Sequence, residues 1–129
     1  MRKLISAKLA AGILLALLGG LAAFHVFVIV GIVPPGVVWG GRIEDSPDNL
    51  VLLEATSLVV IMIFALAIAA RVGYMKAPRL GKVVHVGTWF VFAYFTLNII
   101  GNLASSASIE KLVFTPISII LSALALRLA

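Results

Sequence analysis

One carboxylate stands inside a long apolar run. Glu54 lies in SPDNLVLLEATSLVVIMIFALAIAARV, residues 46–72, seven positions past Pro47. Ionisable side chains inside membrane helices are costly and usually mark a site, so Glu54 is where chemistry is expected first. Three further apolar runs carry polar residues that can be brought to it. His25 sits in the first, and Asn98 and Asn102 sit near the end of the third. Ser57, three residues past Glu54, shares its helical face, whereas Thr56 does not.

These side chains are chemically matched. A neutral imidazole can donate to a carboxylate, a protonated one can neutralise it, and the pair can pass a proton between them. The two asparagine amides add donors and acceptors. Such a set is able to hold a small polar ligand, a cation or a proton. The same set also suits a structural role, because membrane helices use polar side chains as interhelical bonds.

Depth decides which of them can meet. With helices over about residues 4–33, 47–72, 83–104 and 109–128, His25 lies about 12 Å inside the outer end of its helix. Glu54 lies about 10 Å inside its own, and Asn98 about 9 Å, with Asn102 nearer the surface. Three helices therefore place polar groups in one layer of the outer leaflet. His85, by contrast, is one turn from Lys82 at the opposite end, so a haem shared by the two histidines is excluded by depth. No H-E-x-x-H, G-x-S-x-G, phosphate loop or dinucleotide fingerprint occurs. No cofactor and no metal site are assigned.

The elements that must position this set dominate the chain. Of 129 residues, 63% are hydrophobic and 12% charged, against about 45–50% and 25% in soluble domains. The mean hydropathy is +1.22. The expected fold is an all-α integral membrane protein, a single domain over residues 1–129 built as an antiparallel four-helix transmembrane bundle. There are no cysteines, which excludes disulfides and thiolate chemistry.

The charge of +5 is a topology signal rather than a nucleic-acid footprint, and nucleic acid is not expected as a partner. Arg2, Lys3, Lys8, Arg71, Lys76, Arg79, Lys82 and Arg127 fall on one side of the runs, with no acidic residue. Arg42 and Lys111 fall on the other, with Glu44, Asp45, Asp48 and Glu110. Because cytoplasmic loops collect Lys and Arg, both termini are expected in the cytoplasm, in a bacterial-type plasma membrane. The start MRKLISAKLAAGILLALLGGLAAF imitates a signal peptide, but its apolar run continues to Val33, so it is read as the first membrane helix.

Local signals set the remaining expectations. Pro34–Pro35 can stop the first helix. Ser46, Pro47 and Asp48 suit the start of the second. Gly12/Ala16/Gly20 and Ala65/Ala69/Gly73 form small-residue ridges for close helix packing, within the bundle or in a homodimer. In the outer loop, residues 34–46, Trp39 is an interfacial anchor and Arg42 a solvated cation. The sharper alternative has Trp39, Arg42 and the Gly40–Gly41 amides contacting an anion. In the last helix Thr115, Ser118 and Ser122 share a face and can satisfy backbone groups freed by Pro116.

The leading expectation is therefore binding, and possible translocation, of a small polar ligand, cation or proton. Two other classes stay open: a non-catalytic accessory subunit packed on a larger membrane protein, and an outer-leaflet enzyme acting on a lipid or quinone-like substrate.

Overall fold

The computed structural model describes residues 4–33, 47–105, 108 and 110–129, and the side chains of all of these except 47–49 and 110. The loop that carries Pro34, Pro35, Trp39, Gly40, Gly41, Arg42 and Ser46 lies outside the described residues. Among those described, the chain is all helical, and four helices are long and apolar enough to cross a membrane.

Helix α1 (Ala7–Ile29) begins where Ser6, in extended backbone, accepts a bond from the Leu9 amide at 3.1 Å. That satisfies one of the amides a helix start leaves unpaired. The helix ends before the two prolines are reached. Gly31 takes φ +84, the Ile32 amide returns to the Phe27 carbonyl at 2.9 Å, and the Gly31 amide to Val28 at 3.2 Å. This is a left-handed glycine cap that consumes the orphan carbonyls. Helix α2 (Pro47–Arg71) ends the same way at Gly73, also at φ +84, with Tyr74 bonded back to Ala69 at 2.9 Å. Gly73, read from its spacing as part of a packing ridge, is in the structure a helix stop.

A short 3-10 turn (Pro78–Leu80) leads into α3 (Gly81–Leu103). A π-helical turn (Glu110–Phe114) precedes α4 (Thr115–Leu128). Pro116 has no amide to give the carbonyl four residues earlier, and a wider i→i+5 turn is how a chain accommodates the missing donor. With 14 residues, α4 alone is about 21 Å long. The π turn extends it toward the ~30 Å of a hydrocarbon core.

Helix α1 packs on α2 and α4, and α3 packs on the same two, giving a ring of four contacts. Helices α1, α2 and α3 turn inward along residues spaced alternately four and three apart, the period that keeps one seam facing its neighbours. In α1 these are Leu14, Leu18, Leu21, His25 and Val28. In α2 they are Glu54, Ser57, Ile61, Phe64 and Ile68, and in α3 Thr88, Val91, Phe95, Asn98 and Asn102. Leu121, Leu124, Ala125 and Leu128 complete the core from α4. The site residues thus occupy core positions of the seam. Gly12, Ala16 and Gly20 point away from the bundle, and a Cβ added at Gly12 or Gly20 would meet nothing within 4 Å.

The basic end is fastened by two arginines. Arg71 donates from Nε to the Leu128 carbonyl at 2.8 Å and from Nη2 to Ala129 at 3.3 Å. Arg127 donates to the Ile5 carbonyl at 3.0 Å. At Leu128 and Ala129 the Arg71 cation meets carbonyls left open at a helix C-terminus, which is favourable on both hydrogen-bonding and dipole grounds. Arg127 instead ties the end of α4 to the residue before the Ser6 cap of α1.

Candidate functional site

The seam positions of α1 and α2 bring His25 and Glu54 together. The imidazole Nδ1 contacts carboxylate Oε2 directly. Glu54 is 0% exposed, whereas the His25 side chain retains 18%. Of the two partners, the imidazole is the one that retains exposure. Phe24 meets the His25 ring edge-on at 5.8 Å between centroids and the Phe114 ring at 4.8 Å. Through Phe24 the π turn is packed against the segment of α1 that carries the histidine.

The asparagines are held elsewhere. Asn98 Nδ2 donates to the Tyr94 carbonyl, one turn back on its own helix, at 3.2 Å. Asn102 Nδ2 donates to Ser118 Oγ on α4 at 3.0 Å. Further along the same interface, Thr96 Oγ1 and Ser122 Oγ lie 2.7 Å apart. Thr96 gives its proton to the Phe92 carbonyl at 2.8 Å, so the Ser122 hydroxyl is the donor between them. Ser57 donates to the Leu53 carbonyl at 3.0 Å. Its hydroxyl therefore serves its own helix while lying on the face of Glu54.

The polar residues accordingly form two clasps. His25–Glu54 joins α1 to α2, and Asn102–Ser118 with Thr96–Ser122 joins α3 to α4. Thr96 was not singled out from the sequence; the signal available was its position in the apolar middle of α3. Among the described residues no buried side-chain nitrogen or oxygen lacks a hydrogen-bond partner. A ligand entering either clasp must therefore replace a bond that already exists.

No protein-family model matches this chain, and neither a curated protein nor a solved structure does.

Among the described residues no three His, Asp or Glu side chains gather as a metal-binding group. The pair has a simpler capability. With Glu54 ionised, His25 donates from Nδ1; with Glu54 protonated, the carboxylic acid donates to Nδ1. The two states differ only in the position of one proton. The imidazole keeps 18% of its side-chain surface exposed, and a histidine bonded to a carboxylate through one ring nitrogen can exchange a proton through the other.

Proposed function

We propose that this chain is a small multi-pass membrane protein that moves a proton, or a small cation in its place, through the His25–Glu54 pair. The observation that carries the proposal is the burial step along the pair: a part-exposed imidazole in contact with a fully enclosed carboxylate. Glu54 is the charge carrier and His25 the relay. Ser57 is a further group a ligand would meet beside the pair, as would Trp39 and Arg42 in the outer loop, whereas Asn98 and Asn102 keep to their bonds with Tyr94 and Ser118.

The proposed frame is an antiparallel bundle with both termini cytoplasmic. Two features support it. Asn102 pairs with Ser118 while Thr96 pairs with Ser122, so the register falls on α3 as it rises on α4. The basic residues gather at the end where Arg71 and Arg127 tie the helix termini, as the positive-inside tendency favours. The exterior opening then lies in the outer leaflet of a bacterial-type plasma membrane.

The test is proton uptake into liposomes holding a pH-sensitive dye, driven by an imposed potential. Wild type should acidify the lumen, and Glu54→Gln and His25→Ala should not, with helicity unchanged. Equal uptake in all three proteins would overturn the proposal.

A second reading, an accessory subunit in a larger membrane assembly, is favoured by one observation: the Gly12/Ala16/Gly20 ridge faces outward. Under that reading Gly12→Leu with Gly20→Leu removes a copurifying partner and Glu54→Gln does not.

A further inference from the structure

A groove runs between α2 and α3 at the basic end of the bundle, with a volume of about 470 Å³. Its floor exists because the facing residues are small. A Cβ at Gly87 would sit 3.6 Å from that of Ala67. Phe64 and Phe90, with ring centroids 6.2 Å apart, close its inner end. Phe64 is itself held in place by Tyr94 and Phe95. Ile63, Val83 and Val86 form exposed walls, and Lys82 stands in the lining as the one charged member.

Lys82 belongs to a run of cations along the chain. Lys76 and Arg79 precede Lys82 within seven positions, and no acidic residue occurs anywhere between Glu54 and Glu110. Lys76, Arg79 and Lys82 are all exposed. From Lys82 to Phe90 the helix rises about 12 Å, most of the ~15 Å depth of one hydrocarbon leaflet. An open apolar groove of this length with a cation at its end suits an acyl chain with an anionic head. Basic pockets between membrane helices bind anionic lipid headgroups in this manner.

We propose that the α2–α3 groove is a binding site for a single anionic glycerophospholipid. The acyl chain lies along Phe64, Ala67, Val83, Val86 and Gly87, and the phosphate sits at Lys82 with Arg79 and Lys76 beside it. The site is separate from the His25–Glu54 pair and does not rest on its role.

The experiment is native mass spectrometry of the detergent-solubilised full chain with phosphatidylglycerol or phosphatidylcholine of identical acyl chains. Wild type should retain one phosphatidylglycerol in preference to phosphatidylcholine. Lys82→Gln should reduce that preference about fivefold, the factor for one cation near a charged surface. Val83→Trp should fill the slot and abolish retention of the single lipid. Val86→Trp does the same from a second exposed position, so loss of folding in either variant leaves the other as the test. Equal retention of the two lipids, or phosphatidylglycerol retention that survives both tryptophan variants, would overturn the proposal. Two-chain species that disappear in Val83→Trp would also overturn it, by making a second copy the occupant.

Discussion

His25 Nδ1 on α1 is in contact with Glu54 Oε2 on α2, and both residues occupy seam positions that elsewhere are filled by apolar residues or by the uncharged Ser57, Thr88, Asn98 and Asn102. A pair placed there has two consequences that can be separated by mutation: it ties two helices, and it holds an exchangeable proton.

The tie should be measurable by a double-mutant cycle with His25→Ala and Glu54→Gln, read from reversible unfolding in mixed micelles. A coupling of about 1–2 kcal/mol is expected, the upper range for polar contacts between membrane helices. A coupling near zero would mean the two residues are neighbours without energetic consequence.

The second clasp should behave as structure alone. Asn102→Ala and Ser118→Ala should each destabilise the fold by about 0.5–1.5 kcal/mol and couple to one another. Both should leave proton uptake in the liposome assay within about twofold of wild type, a range that corresponds to under 0.5 kcal/mol in the barrier. Uptake lost in Asn102→Ala would draw α3 into the pathway.

The glycines divide by conformation. Gly31→Ala and Gly73→Ala force a left-handed backbone on a residue with a Cβ and should destabilise by roughly 1–2 kcal/mol. Gly12→Ala and Gly20→Ala meet open space and should be neutral or stabilise by up to about 1 kcal/mol. Thermal unfolding in one detergent, followed by circular dichroism, compares all four.

At the basic end, Arg71→Ala removes donors to the Leu128 and Ala129 carbonyls. A loss of about 1 kcal/mol is expected. Backbone hydrogen exchange should rise in the last turn of α4 and stay unchanged around Glu54. A change spread over the whole bundle would mean the arginine holds more than a helix terminus.

Much of this protein was determined by its sequence alone. Four apolar runs, the one carboxylate within them and the one-sided placement of Lys and Arg follow from the energetics of a hydrocarbon solvent, which acts on residue type before any packing occurs. The shared faces of Asn98 and Asn102, and of Thr115, Ser118 and Ser122, follow from helical period alone. Period says which residues share a face, but not which face of which neighbour they will find.

That choice was left to tertiary structure. Depth placed His25, Glu54 and Asn98 in one layer, but a layer in a four-helix ring has four sides. The ring puts α1 beside α2 and α3 beside α4, so His25 reaches Glu54 while Asn102 turns to Ser118. The helix ends were decided in the same way. Pro34 and Pro35 are visible stops, yet α1 closes at Gly31, where a backbone loop back to Phe27 satisfies its carbonyls. The groove beside Lys82 depends on how close Gly87 approaches Ala67, a distance that no spacing along the chain contains.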